Sequence, residues 1–240
     1  MRIDEYLTER KFFCSRTKSK QAIERGEIYL DGKVILKPSF DLSIDCDYNI
    51  EWVRSEDYVS LGGYKLSKAL KDFEFSVKDK IIADIGASTG GFTDCVLKNG
   101  AKKVFAVDLN DNLLHDKLKA DDRVKPIIKN AKDLKKKDFG VELDLIVADL
   151  SFISATMVLP VFSELLSSGK EVILLIKPQF EVGIKKKFKN GIIRDSALRD
   201  NACNKVIECA EQNEFIKVNL TTAPESENKN IEYLLLLKKI

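Results

Sequence analysis

Apolar and polar positions follow two regimes along this chain. Over residues 1 to about 57 the apolar runs are brief. Ile3, Tyr6 and Leu7 have helical spacing, and Ser15 is placed to cap a second helix, Arg16 to Arg25, that Gly26 stops. Glu27-Ile28-Tyr29-Leu30, Asp31-Gly32 and Lys33-Val34-Ile35 read as a β-hairpin with a tight turn, and Tyr48 to Trp52 alternates like a strand. Two short helices and a small sheet make a small α+β unit with little core of its own.

From residue 58 to 240 strand and helix patterns alternate. The predicted strands are Ile81–Asp84, Val104–Asp108, Lys125–Ile128, Leu143–Ala148, Val172–Ile176, Ile216–Leu220 and Glu232–Lys238. Helical stretches lie between them, including Gly91–Lys98, Leu113–Lys119, Ser154–Leu166 and Ala197–Gln212. This order predicts an α/β domain with a Rossmann-like, seven-stranded, mostly parallel sheet. Ligands of such a sheet sit outside the C-terminal ends of its strands.

Charge changes the picture locally rather than in total. The net charge is only +2, but Arg10 to Lys37 holds eight Lys/Arg against three acids. A polyanion feels such a patch more than the sum over the molecule. The clusters Lys135–Lys137 and Lys185–Lys187 read as solvated loops, the second equally as an RNA contact because it follows a strand that ends in a candidate site residue. The five cysteines are scattered without metal-ligand spacing, which predicts reduced thiols and a cytoplasmic protein. His115, the one histidine, is expected at the surface or at a helix end. No apolar run is long enough to span a bilayer.

Two groups of residues carry candidate chemistry. The first is DIGASTGGF, Asp84 to Phe92, behind the apolar run Ile81–Ala83. Its spacing, Gly86-x-x-x-Gly90-Gly91, departs from the dinucleotide fingerprint G-x-G-x-x-G. An acid at the strand end opposes a pyrophosphate but suits a cationic ligand such as S-adenosylmethionine, with Asp84 facing its ammonium side. Asp108 lies 24 positions on, at the end of the next strand, suited to ribose hydroxyls. Asn130 and Asp133 follow the third strand, within reach of an adenine amino group. The second group is Lys65, placed in a loop before the first strand, with Asp149, Lys177 and Glu232 at later strand ends. A charge closing an apolar strand needs a partner. Asp149 and Lys177, on adjacent strands, fit either a structural ion pair or a working one.

The segment RIDEYL, the basic run SRTKSKQAIERGEIYLDGKVILKPS and the strand DYNIEW resemble the RNA-binding domain of the ribosomal protein S-four type. That resemblance implies phosphate contacts from Arg2, Arg16, Lys18, Lys20 and Arg25, and domains spanning 1–57 and 58–240. YVSLGGYKL, DIGASTGGFTDCVL, VFAVDLN, VADLSFIS, LIKPQFE and NIEYLL, in this order, resemble the TlyA family, whose catalytic domain is similar to FtsJ. Leu61 departs from that family, which often has an arginine there.

The resemblance implies S-adenosylmethionine-dependent 2′-O-methylation of a ribose, that of a cytidine, in ribosomal RNA. It implies Lys65, Asp149, Lys177 and Glu232 as the catalytic set. Asp84, Gly86, Ser88 and Gly90 then meet the cofactor, with Asp108 on its ribose. The implied partner is ribosomal RNA or a ribosomal subunit, the large one favoured by likeness to the shorter members. Competing readings are a base amino-methyltransferase on RNA and a non-catalytic RNA-binding factor. Direct cytolysis, which the family's haemolysin label suggests, is disfavoured because no amphipathic membrane stretch appears.

Overall fold

Ile82–Ile85, Leu145–Ala148 and Val172–Ile176 are buried at every position, as strands covered by helices on both faces must be. They form the middle of a seven-stranded sheet in the computed structural model, which describes residues 1–24, 26–43, 48–52, 58–183, 188–224 and 229–240. The chain divides into two compact units, Met1–Asp57 and Tyr58–Ile240.

The first unit holds helices α1 (Ile3–Glu9) and α2 (Arg16–Glu24) and a three-stranded sheet of β1 (Ile28–Leu30), β2 (Lys33–Ile35) and β3 (Ile50–Trp52), in the order β2-β1-β3. The hairpin turn has positive φ at both Asp31 and Gly32, the geometry that matches strand twist. Ser15 accepts from the Lys18 N–H as the expected cap. The core is Ile3, Leu7, Ala22, Ile23 and Ile28, with the Phe13 and Trp52 rings 4.5 Å apart beside it. Arg25 lies outside the described residues, as do Lys185–Lys187.

The second unit begins with α3 (Leu61–Asp72). There follow β4 (Ile81–Ile85), α4 (Gly91–Lys98), β5 (Lys103–Asp108), α5 (Asp116–Lys119), β6 (Val124–Ile128), α6 (Lys136–Phe139), β7 (Leu145–Ala148), α7 (Leu159–Leu165), β8 (Glu171–Ile176), α8 (Pro178–Glu181), α9 (Ser196–Gln212), β9 (Phe215–Thr222) and β10 (Tyr233–Lys239). The sheet order is β6-β5-β4-β7-β8-β10-β9; β10 is antiparallel to both neighbours and the rest are parallel. Two apolar clusters lie against it. One includes Phe105, Phe162 and Val206, the other Leu66, Val96 and Leu234. No helix among the described residues is long and apolar enough to cross a membrane.

Several local expectations change. Lys65, expected in a loop, lies on α3. The pair Gly62-Gly63 sits in the first turn of that helix. The stretch Leu113–Lys119 is not one helix but a 3₁₀ turn, Asp111–Leu113, and then α5, whose start is capped by the His115 imidazole accepting from the Lys117 N–H. Ser154–Leu166 likewise divides into a 3₁₀ turn and α7, with a proline in the first turn of α7 where its missing N–H costs nothing. β7 starts at Leu145 rather than Leu143, and β10 starts one residue after Glu232.

The placement of α3 depends on a close helix contact. A Cβ on Gly91 would collide with the Ser60 hydroxyl and lie 2.9 Å from the Gly63 nitrogen. Buried Asp94 adds a tie, accepting from the Val59 N–H at 2.9 Å. Gly91→Ala should therefore lower stability by about 1–3 kcal/mol, the usual cost of overpacking. Calorimetry checks this, and an unchanged melting temperature would show that α3 yields freely.

Candidate active site

The turn after β4 is built by backbone. The Gly86 and Ala87 N–H groups donate to the Val107 carbonyl, at 2.9 and 3.0 Å. Gly86 has φ +87°, and a Cβ there would stand 2.6 Å from the Asp149 carbonyl oxygen. Only glycine allows the turn after β4 to lie so close to the end of β7. Ser88 has φ +48° and donates its N–H to Asp108 at 2.8 Å. The Asp108 carboxylate also accepts from the Leu109 N–H at 2.7 Å and the Asn110 N–H at 3.4 Å. Two residues singled out separately in the sequence, Ser88 and Asp108, thus lock the ends of two strands together. They border a narrow cavity of about 10 Å³ with Ala87, Ala106 and Ile127.

A wider cavity of about 150 Å³ opens beside it. Its walls include Ser60 and Gly62 at the start of α3, Gly86 and Ser88 of the turn, and Asp149 and Lys177 from the ends of β7 and β8. Asp149 is the only carboxylate in that lining among the described residues. The Lys177 ammonium lies 2.6 Å from Asp149 Oδ1 and donates to Ser151 Oγ at 2.7 Å. Lys65 reaches from α3 to Glu232, with Nζ 2.6 Å from Oε2.

Sheet register explains how the four meet at one edge. Ile85 pairs with Ala148, Ala148 with Leu174, and Ile176 with Tyr233. Asp149, Lys177 and Glu232 are the next residues at the same end. Carrying the antiparallel register one step beyond Ile176 and Tyr233 sets Glu232 opposite Lys177. The result is two ion pairs along the mouth of the sheet, Asp149–Lys177 and Glu232–Lys65. Both are partly shielded from solvent, where opposite charges interact more strongly than at an open surface.

Other predicted positions lie elsewhere. Asp84, expected to face the ligand, is wholly buried beneath the turn and accepts from Thr93 Oγ1 of α4 at 2.6 Å. Its other oxygen has no hydrogen-bond partner. The reason is the β4 alternation, which points this side chain under the helix rather than into the cavity. Gly90 faces Leu118 and Leu114 and packs α5 instead of lining the cavity. Asn130 is exposed and its carbonyl oxygen caps the turn Ala131–Asp133 by accepting from the Lys132 N–H. Asp133 is exposed too. Sequence reasoning missed Ser60, Gly62, Ser151 and Glu181. Ser151 and Glu181 were legible as polar residues inside the motifs VADLSFIS and LIKPQFE.

In the first unit, the basic residues are already partly engaged. Asp4 is buried on α1; Arg2 Nε is 3.1 Å and Arg16 Nε 2.9 Å from its oxygens, with the Lys20 ammonium at 3.9 Å. Arg16 also meets Glu5 at 2.7 Å. Burial pulls the Asp4 carboxyl up, but the hydrogen bonds from Arg16 and Arg2 outweigh it and hold the group below the ordinary carboxylate range. Lys18 is exposed, and among the described residues its ammonium forms no ion pair. No metal-holding group of His, Cys, Asp and Glu occurs among the described residues.

Residues 58–239 match the family model of the FtsJ-like methyltransferases. The chain belongs to that family. Residues 1–45 match the S4 domain, so the methyltransferase domain follows a domain of the RNA-binding type. Hemolysin A of Brachyspira hyodysenteriae is 44% identical, over 98% of both chains. The 16S/23S rRNA (cytidine-2'-O)-methyltransferase TlyA of Mycobacterium tuberculosis is 34% identical over 99% of this chain and 89% of its own. Among solved structures, a hemolysin from Streptococcus thermophilus is 37% identical, with a TM-score of 0.74 over all of this chain and 88% of that one.

The buried carboxyl beneath the methyltransferase turn has a measurable signature. Desolvation is the main force that raises the Asp84 pKa, to about 7; its Thr93 bonds oppose the rise, and the charges of Asp149 and Asp108 add to it. The folded protein therefore keeps this proton where the unfolded chain, near 3.8, has lost it. The contribution to stability is fullest at low pH and declines as pH climbs from about 4 to about 7, by on the order of a few kcal/mol. Asp84→Asn should flatten that part of the stability-against-pH curve. Equal slopes in variant and parent, measured by denaturant titration, would count against a neutral Asp84.

Proposed function

We propose that this protein transfers a methyl group from S-adenosylmethionine to a ribose 2′-hydroxyl, that of a cytidine in ribosomal RNA, with the large subunit favoured. It acts in the cytoplasm, where ribosomes are. The observation that carries the reading is the row Lys65–Glu232 and Lys177–Asp149 at the strand ends, beside the glycine turn of an FtsJ-like domain. The S4 domain and the activity for which the Mycobacterium relative is named support the substrate class.

The residues present suit the cofactor. The turn approaches Asp149 without side chains at Gly86, and the cavity walls are mainly polar. Gly86 and Ser88 would hold the methionine part and Asp108 the ribose, while Asp84 acts from beneath, through the turn. When bound, S-adenosylmethionine supplies a methyl group on a positively charged sulfur.

The rest falls to this chain. A ribose hydroxyl is a weak nucleophile until its proton leaves. An ammonium has three N–H donors; Lys177 gives one to Ser151 and stands 2.6 Å from Asp149 Oδ1 as an ion pair without a hydrogen bond. A further N–H is available to orient the hydroxyl oxygen. Of two roles open to Lys177, taking the proton or aiming the hydroxyl, this arrangement favours aiming. Asp149, the carboxylate of the cavity wall, then receives the proton. Lys65 and Glu232 fix the far side of the ribose. Alignment of the reacting atoms supplies much of the acceleration.

Mapping 2′-O-methylation on ribosomal RNA, with and without the protein, tests the reading; RNA that gains no mark from the active protein would end it. Lys177→Ala should lower kcat by on the order of 10²-fold, the scale of a lost alignment, with cofactor affinity retained. If the pair were only structural, the loss would appear as a lower melting temperature with kcat kept, so both are measured on one preparation.

The basic residues of the S4 domain should differ in kind. Lys18→Gln should reduce the salt slope of RNA binding by about one and leave stability alone. Arg16→Gln should also destabilise the domain, since it strips a partner from buried Asp4. Fluorescence titration at several salt concentrations, with thermal melts, separates the two.

A further inference from the structure

The segment Asp149–Ala155 links β7 to the turn before α7, and it is held at two places by one stretch of chain. At its start, Lys177 binds Asp149 and Ser151. At its end, Glu181 accepts from the Ala155 N–H at 2.7 Å with one oxygen and from the Ser154 hydroxyl with the other. Lys177 and Glu181 are four residues apart, one on each end of the single turn of α8. Between the two holds, Phe152 stands out at 90% exposure with φ +66°. Its ring centroid is 5.5 Å from that of Phe180, also on α8.

Glu181 is unusual in its setting. It is 4% exposed, and among the described residues no ion pair is formed by its carboxylate; the nearby Lys205 ammonium donates to its backbone carbonyl at 3.0 Å instead. Burying a carboxylate is expensive, and without a cation it persists only where hydrogen bonds compensate. Here those bonds come entirely from the segment that carries Asp149 and Ser151. A non-glycine residue at positive φ, as at Phe152, costs about 1–3 kcal/mol and persists only where its surroundings over-determine it. Glu181 supplies that determination from the far side.

We infer that Glu181 is a positioning residue for methyl transfer: it staples the Asp149–Ala155 segment to α8, so that Asp149 and Ser151 stand where Lys177 needs them. This rests on the proposed function for its kinetic consequence, but the ordering of the segment does not. The carboxylate has two acceptor oxygens in use, and a glutamine retains one acceptor while offering an N–H₂ to the serine oxygen. An alanine retains neither.

The test uses the full chain with Glu181→Ala, Glu181→Gln and, as a milder cut, Ser154→Ala. On ribosomal RNA, Glu181→Ala should lower kcat by about 10²-fold, the scale of a small misplacement, with cofactor affinity and RNA KM close to parent. Glu181→Gln should recover most of that loss, and Ser154→Ala should fall between. In parallel, Phe152→Trp places an indole on the segment. Its fluorescence anisotropy, after subtraction of the Trp52 signal from the parent, should drop when Glu181→Ala is added and be restored by Glu181→Gln. Unchanged anisotropy in the folded Glu181→Ala protein would overturn the staple, even if the RNA reading fails. Lower melting temperature with kcat intact would overturn its part in catalysis. Should Glu181→Ala not fold, the Ser154→Ala pair of measurements decides by the same criteria.

Discussion

Where α3 meets α4, the chain has no room for even one methyl group at Gly91. That contact decides where Lys65 is, because Lys65 lies two residues past Gly63 on the same helix and has to reach Glu232 across the end of the sheet. It also brings Ser60 and Gly62 to the wall of the cavity that Asp149 and Lys177 close from the other side. A helix in this position set back by the width of a side chain would open the cavity and break the Lys65–Glu232 pair together. The tie from Asp94 to the Val59 N–H guards the same approach from beneath.

The second determinant is the register of β10. Because β10 runs against β8, a strand beginning and a strand ending meet at one edge of the sheet. Positive and negative groups then alternate there without any neighbouring like charges forced together. Each charge has a partner within hydrogen-bond distance, so the row can be shielded from water without an isolated ion, a state that burial strongly disfavours. The row leaves donor capacity on Lys177, which is where the proposed chemistry needs it. Buried Asp84 is treated differently: it has only Thr93 for company, and proton uptake relieves it.

Much of this was legible in the sequence. Strand positions were visible as unbroken apolar runs, since parallel strands buried on both faces have no polar alternation to blur them. Asp149 and Lys177 were visible because a charge ending such a run is conspicuous, and the turn because glycines crowd behind β4. What stayed hidden had a three-dimensional cause. Gly62-Gly63 makes close contact with a helix some thirty residues on, which no local pattern announces. The burial of Asp84 depends on which way one strand position faces. Arg2 and Arg16 look like free charge until Asp4 is found between them, so the basic excess counted along the chain overstates what remains for a partner. Glu181 followed a recognisable lysine, but nothing local says that its carboxylate turns back to another loop.

The sheet order β8-β10-β9 also has a bearing on how the molecule is made. β10 is synthesised after β9 and yet occupies the place between β9 and β8. Lys65, Asp149 and Lys177 are therefore all in the chain before Glu232 is available to complete the row. The β9–β10 hairpin is a local structure that forms quickly by itself, whereas its docking onto β8 is a long-range event. Until it docks, Lys65 lacks its counter-ion and the edge of β8 is bare. On the proposed mechanism, a chain in which β10 has not docked lacks one of its two ion pairs, and the row is completed in the same step that seals the sheet.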